Sequence, residues 1–292
     1  MKPQTIVLLG ATGDLGGRIA RELVKQGANV RALVRKQSDL PKEIEQRIVD
    51  FRDHDQLVEA CRGADCVVSA VNGLASVILE LQSRVLKAAI AAHVPRFIPS
   101  DYSLDYTKTK PGDNRNLDLR RAFREVLDTS NIKATSILNG AFMDMINAEM
   151  PLIADKLNRV MYWGDADQAY DFTTKDDVAK VTARVALDPN PPRDIRVAGE
   201  SASPQKIAEI ASGALGKPFK LFRLGGVGRL SRVIGVVKAL TPASTSPFPV
   251  WQGMQYMRDM TKGAGLLSPL ENEKFHEIKF TSLREILSLR RS

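Results

Sequence analysis

Residues 5–17 read TIVLLGATGDLGG, and this stretch decides the fold. Thr5-Ile6-Val7-Leu8-Leu9 is a short apolar run rich in β-branched residues, as a buried strand requires. Gly10, Gly13 and Gly16 follow in a G-x-x-G-x-x-G spacing. Leu15, Ile19, Leu23 and Val24 then recur at helical spacing. A strand, a glycine loop and a helix in that order turn the chain tightly and aim backbone N–H groups at an anion, with the field of the helix N-terminus behind them. Gly10, Thr12, Gly13, Asp14, Leu15 and Gly16 are therefore candidates to hold a pyrophosphate. The plain alternative is a turn that binds nothing. Its position at the head of a β-α-β unit favours the binding reading.

The pattern continues outward. Gly27 stops the first helix, and strands are expected at 29–34 and 44–49. A helix over 55–61, a strand over 66–71 and a long helix over 75–92 come next. A strand at 97–98, a helix over 117–128 and a strand over 134–138 complete the alternation. Such an order predicts an α/β protein built on a doubly wound parallel sheet, with a smaller, mainly helical C-terminal lobe. The domains are expected at 1–150, binding the dinucleotide, and 151–292, covering the substrate, with part of 159–200 packing back on the sheet. In the second region helices are expected at 141–157, 176–187 and 203–214, the last with Ser203 as N-cap and Pro204 at its first position. Residues 225–260 read as two helices joined by the Pro/Ser/Thr loop Pro242–Pro249.

Ligands of open parallel sheets lie at the carboxyl ends of the strands. At the end of the second strand an acid would hold the ribose of NAD. Here Arg35 and Lys36 stand instead, two cations suited to the 2′-phosphate of NADP(H). The other strand ends supply Asp50-Phe51, Ala70-Val71-Asn72-Gly73, Pro99-Ser100-Asp101-Tyr102 and Asn139-Gly140 as further cofactor candidates.

Composition narrows the classes. The 292 residues carry a net charge of +8, which favours anionic ligands. The cations read as spread along the chain and mixed with acids, so neither nucleic acid nor a membrane is an expected partner. Cys61 and Cys66 support neither a disulfide framework nor a zinc site, and the three histidines are dispersed. That usage, and a start that runs straight into a strand, predict a soluble cytoplasmic protein without a metal.

GATGDLGG, ALVRK, VDFRD, RFIPSDYSLD, ILNGAFMD, DFTTKDDVAK and SPQKIAEIASGALGKP, in that order, resemble the NmrA-like and isoflavone-reductase-like family of atypical short-chain dehydrogenase/reductases. The most specific part is Pro99-Ser100-Asp101-Tyr102 before Asp105, where the family shows P-S-E-F-G-x-D. The resemblance implies a Rossmann domain that binds NADP(H) and a C-terminal part that covers a substrate. It also implies one of two functions. The first is reduction of a small aromatic or quinone-like acceptor. The second is an NADP(H) redox sensor acting through a protein partner.

Catalytic candidates are few. Tyr106 and Lys110 have the Y-x-x-x-K spacing of ordinary short-chain reductases, but two threonines and Pro111-Gly112 disfavour the helix that such a pair needs. The segment reads as a mobile loop. Plant reductases of the resembling family use a lysine on the following helix; residues 116–125 contain none, and Arg120 or Arg121 takes that place. Tyr102 is left as a candidate wall or proton donor beside the nicotinamide, or else a packing residue, with Lys110 as the remaining basic candidate. Trp251, Met254, Met257 and Met260 recur at helical spacing, as a core face or an apolar substrate cleft would.

Overall fold

Strand β1 (Thr5–Leu9) has Ile6, Val7 and Leu8 fully buried, as a strand covered on both faces must. In the computed structural model, which describes residues 2–146, 150–241 and 246–290, β1 is central to a six-stranded parallel sheet. After helix α1 (Asp14–Lys25) come β2 (Asn29–Val34), β3 (Ile44–Ile48), α2 (His54–Cys61) and β4 (Cys66–Ser69). Helix α3 (Gln82–Ala91) follows a π-helical turn at Ser76–Leu81 and leads to β5 (Arg96–Ile98), α4 (Arg115–Asp128) and β6 (Lys133–Ala134). The strand order is β3-β2-β1-β4-β5-β6. The chain winds outward from β1 in one direction and then crosses to begin again at β4. The loops after β1 and β4 therefore diverge at the carboxyl ends of the strands, where such sheets bind ligands. The doubly wound α/β fold expected from the sequence is present.

The chain forms two compact units, neither of them one consecutive stretch. The first comprises residues 1–102, 119–137 and 178–195. Val7, Val67 and Phe97 from the strands and Leu86, Phe123 and Leu127 from the helices fill its core. Arg96 is buried at the start of β5, and its guanidinium donates to the carbonyls of Val185 and Asp188. Arg124 forks onto both carboxylate oxygens of Asp194 at 2.5 and 3.1 Å.

The second unit comprises residues 103–118, 138–177 and 196–292. Residue 150 falls inside it. After β7 (Ser136–Leu138), its strands are β8 (Ala141–Phe142), β9 (Ile153–Ala154), β10 (Arg159–Trp163) and β11 (Tyr170–Thr173). Helix α5 (Lys175–Leu187) and β12 (Asp194–Arg196) follow, both mostly in the first unit; β13 (Glu200–Ala202), α6 (Pro204–Leu215), β14 (Lys220–Gly225), α7 (Val227–Leu240), α8 (Val250–Thr261) and α9 (Leu283–Ser288) belong to the second. Two small sheets, β13-β11-β8 and β14-β10-β9, pack with α6 and α9 around Tyr170, Phe172, Ile207 and Leu283. Ser203 caps α6 by accepting from the Lys206 N–H, and Ser282 with Glu285 forms a capping box on α9.

One expected helix, 141–157, is not seen among the described residues, and residues 147–149 of it lie outside them. The described part begins with β8 and a single 3₁₀ turn (Met143–Met145) and ends near β9. Their apolar residues meet neighbouring strands, and tertiary pairing overrides the helical periodicity. Within 159–200, strands β10 and β11 belong to sheets of the second unit, whereas residues 178–195 belong to the first. Part of the expected Pro/Ser/Thr loop, residues 242–245, lies outside the described residues; the two helices flanking it are present as α7 and α8.

Candidate functional site

Two of the three glycines of the loop after β1, Gly10 and Gly16, are held by a steric demand. Gly10 has φ +91°, and a Cβ there would lie 2.7 Å from the Ala70 carbonyl oxygen at the end of β4. A Cβ on Gly16 would come within 2.0 Å of the Gly10 carbonyl oxygen, so the first turn of α1 packs directly on the loop. Gly13 donates to the Gly10 carbonyl at 3.0 Å and is the N-cap of α1, with no side chain capping the helix. The first intrahelical bond runs from Gly17 to Gly13 at 2.8 Å, so the amides of the first turn precede the helical ladder. Asp14 is the one acid at this positive helix end, and Arg18 neutralises it at 2.7 Å.

Beside the loop lies a cleft of about 590 Å³. Thr12 and Gly13 form one side and residues 36–41 the other, with Arg21 and Lys36 as its cations. The 36–41 segment is held by Gln46 of β3, whose side chain accepts from the Ser38 N–H and donates to the Ser38 carbonyl, both at 2.9 Å. The sequence reading paired Arg35 with Lys36. The structure puts Lys36 in the cleft wall and Arg35 on exposed surface outside its lining, at the bend that follows β2. Arg21 was not anticipated. Its signal is the four-residue spacing Gly13, Gly17, Arg21, which sets all three along one side of α1.

A glycine-rich turn closed on helix α1 at the switch point of a parallel sheet is a phosphate-binding architecture, and the sequence model of the NmrA-like family matches residues 2–287. The chain belongs to the NmrA-like family. It is 28% identical over 205 residues to pinoresinol reductase 1 of Arabidopsis thaliana, a match covering 63% of this chain and 65% of that protein. The chain thus spans just under two thirds of the length of the curated relatives it matches. Among solved structures it resembles an isoflavone reductase, with TM-score 0.83, 22% identity and coverage of 99% of this chain and all of the other. It also resembles an NADPH-dependent quinone oxidoreductase of Escherichia coli, with TM-score 0.75, 20% identity, and 98% and 100% of the two chains covered. At these identities the two structures speak to the fold.

Other residues of this NmrA-like chain that the sequence singled out divide into those at the site and those that build it. Ala70 and Val71 follow β4 beside Gly10, and Asn72 is exposed. Gly73 is buried, and a Cβ there would collide with Val77 at 2.5 Å. Ser100 ties the ends of β4 and β5 together: its hydroxyl donates to the Val71 carbonyl at 2.5 Å and its N–H donates to Gln82 Oε1 at 3.0 Å. Pro99 and Asp101 are buried, and Asp101 accepts from the Ser136 hydroxyl at 2.7 Å. Asp50 is exposed and caps the Arg52 N–H, with Phe51 half-buried beside it. Asn139 and Gly140 lie in the second unit, where both N–H groups donate to the Ser103 carbonyl. Gly140, at φ +69°, is required there because a Cβ would stand 2.2 Å from the Asp171 carbonyl oxygen.

Of the catalytic candidates, Tyr102 is enclosed and Lys110 is exposed. Tyr102 is buried at 6% exposure, and its hydroxyl has no solvent-accessible surface. Burial drives its phenol well above the ordinary tyrosine range, an effect only partly offset by the neighbouring Thr182 hydroxyl. In this structure it packs among buried neighbours. Tyr106 and Lys110 do not share a helix face. Tyr106 is fully buried in a 3₁₀ turn (Tyr106–Lys108) and Lys110 is exposed beyond it. The segment expected to be mobile is tied down: Asp105 is fully buried against Arg196 at 2.7 Å, and Lys108 donates to the carbonyls of Leu266 and Ser268. On α4, Arg120 is buried and Arg121 half-buried. Trp251 and Met260 of α8 are buried as an apolar stripe would be, but the same helix also turns Gln252, Gln255 and Asp259 inward. Asn114 links two of them, donating to Asp259 Oδ2 at 3.0 Å and accepting from Gln252 Nε2 at 2.7 Å. Burial raises the Asp259 carboxyl above its ordinary range. That buried polar network escaped a reading based on apolar spacing. Among the described residues no cluster of three His, Cys, Asp or Glu could hold a metal ion, and no helix is long and apolar enough to cross a membrane.

Proposed function

We propose that this chain is an NADPH-dependent reductase of a small aromatic or quinone-like acceptor. The observation that carries the reading is the cleft beside the glycine loop, whose lining brings Arg21 and Lys36 together with the acids Asp14 and Asp39. The loop amides and the first turn of α1 would hold the pyrophosphate, and Arg21 and Lys36 would hold the 2′-phosphate that distinguishes NADP(H) from NAD(H). Gly10 and Gly16, where a side chain would meet the protein's own backbone, keep the loop and the first turn of α1 tightly packed. When bound, a reduced nicotinamide supplies hydride. The relatives matched by sequence, reductases of pinoresinol and isoflavone, support an aromatic acceptor. The second region, 151–292, would supply the surface that recognises it. With Tyr102 and Tyr106 buried, the chain favours acceptors that take their proton from solvent, as quinones do.

The same burial supports a second reading, an NADP(H)-binding regulator without turnover that acts through a protein partner. Titration with NADPH, NADP⁺ and NADH, followed by NADPH oxidation against a panel of quinones and phenolic acceptors, separates the two. Tight binding of the phosphorylated forms with acceptor-dependent oxidation supports the reductase. Tight binding with no oxidation by any acceptor supports the regulator. Failure to bind any of the three dinucleotides sinks both.

A further inference from the structure

The even mixture of cations and acids expected along the chain fails in one place. Between Glu209 and Asp259 there is no acidic residue, while seven Lys and Arg fall in that interval. All 34 acids and the other 35 of the 42 cations lie elsewhere, so this interval carries seven of the eight net positive charges. It also carries five of the ten large apolar side chains that the described structure leaves exposed. Positive charge and exposed apolar surface coincide on one part of the second unit.

Their placement makes a single face. Helix α7 buries Leu230 and Ile234 against the unit. Arg229, Arg232, Val236 and Leu240, spaced three and four apart, run along its opposite, exposed side. The cations come first and the apolar residues last, with Val236 58% and Leu240 78% exposed. The chain returns through Phe248 and Val250 into α8, which packs against α7, and Val250 is 74% exposed. At that junction the Trp251 ring is flanked by Lys238 at 5.2 Å and Arg115 at 4.6 Å, so charge remains beside the apolar tip.

We propose that the face formed by α7 and residues 246–250 docks on an anionic lipid bilayer surface. Cations adjoining aliphatic and aromatic side chains match the two layers of such a surface, headgroup charge above and acyl chain below. A second copy would bring the same acid-free face against itself and set like charges together. A nucleic acid would satisfy the cations and leave Val236, Leu240 and Val250 in water. The attachment is peripheral, and it does not depend on the dinucleotide.

Co-sedimentation of the full chain with vesicles tests this. The protein is expected to pellet with vesicles of phosphatidylcholine mixed with phosphatidylserine, to stay in solution with phosphatidylcholine alone, and to be released by salt. The pair Arg229→Glu and Arg232→Glu should lower partitioning roughly thirtyfold or more, since each surface cation is worth about a factor of five at such a membrane. Leu240→Asp with Val250→Asp should also release it. Lys87→Glu with Lys133→Glu, an equal change of charge in the first unit, should have little effect. Circular dichroism and thermal melting check the fold of each variant. No pelleting of the unmodified chain, or equal pelleting with neutral vesicles, overturns the proposal. So does equal loss in the Lys87/Lys133 pair, which would mean net charge alone. Retention by the Leu240/Val250 pair together with displacement by duplex DNA would mark a polyanion surface instead and overturn it as well.

Discussion

A Cβ placed on Gly16 would stand 2.0 Å from the carbonyl oxygen of Gly10, closer than any real side-chain carbon approaches an oxygen. The loop and the first turn of α1 are therefore one rigid object, and dinucleotide affinity should depend on the missing side chain. Gly16→Ala forces the backbone apart. It should destabilise the fold by about 1–3 kcal/mol, the usual cost of overpacking, and weaken NADPH binding by about tenfold or more, a change of about 1.4 kcal/mol. Gly253→Ala on α8, outside the cleft lining, is the control. Its Cβ would meet nothing within 4 Å, so it should bind NADPH normally. Isothermal titration of both variants decides, and equal binding by the two would remove the loop from the site.

Arg21 and Lys36 line the cleft and Arg35 does not, so charge reversal at the three positions should have unequal effects. Arg21→Glu and Lys36→Glu should each raise the Kd for NADPH about tenfold to a hundredfold, the loss of a charge-assisted hydrogen bond worth about 1.5–3 kcal/mol. Their Kd for NADH should change little. Arg35→Glu, at an exposed position outside the lining, should weaken NADPH by a smaller factor through longer-range repulsion. If Arg35→Glu proved the most damaging of the three, the cleft would not be the 2′-phosphate pocket.

The first half of the fold was legible because its signals are local. An apolar run, three glycines and a helical stripe fall within twenty residues, and each later strand repeats the pattern. The second unit was harder to read. Its strands are two to six residues long and pair with distant partners, β14 with β10 and β11 with β13, so no short window contains the evidence for them. The same limit applied to the site. Lys36 could be found from its place after a strand, whereas Arg21 required knowing which side of α1 faces the loop. Tyr102 looked available because it follows a strand end. Whether a side chain there turns into the core or out to a ligand depends on neighbours such as Thr182, eighty residues away in the chain.

Asp105 was legible only as the last letter of a family signature, and the structure gives it a physical role. Fully buried, it accepts from Arg196 Nε at 2.7 Å and from the N–H and hydroxyl of Thr107 at 3.1 and 2.6 Å. Removing one side of such a pair strands the other. Asp105→Ala should cost about 3–5 kcal/mol in urea unfolding, and Arg196→Ala a similar amount. The double variant should cost less than the two single losses together, with a coupling of about 1–3 kcal/mol. Strict additivity would mean that the contact contributes nothing to stability.

The two cysteines should shape stability at alkaline pH. Burial pushes the Cys61 thiol up to about 11, partly offset by Arg31. Burial pushes the Cys66 thiol up to about 12; nearby Arg96 partly offsets this, and Asp65 adds to it. In the unfolded chain both would ionise near the ordinary value of 9.0. Below that pH both states hold the proton and the thiols make no pH-dependent contribution. Above it the unfolded chain releases protons that the folded chain keeps, so stability falls as pH rises from 9 toward the folded values. The slope is about 1.4 kcal/mol per pH unit for each thiol. Cys61→Ala with Cys66→Ala removes this component. Urea unfolding at pH 8, 9 and 10 should therefore show the parent losing stability faster than the double variant, even though Ala leaves small cavities that make the variant less stable at pH 8. The same burial should protect both thiols from alkylation at pH 8 until the chain is unfolded. Parallel stability curves, or rapid labelling of the native protein, would mean that the thiolates form without leaving the core.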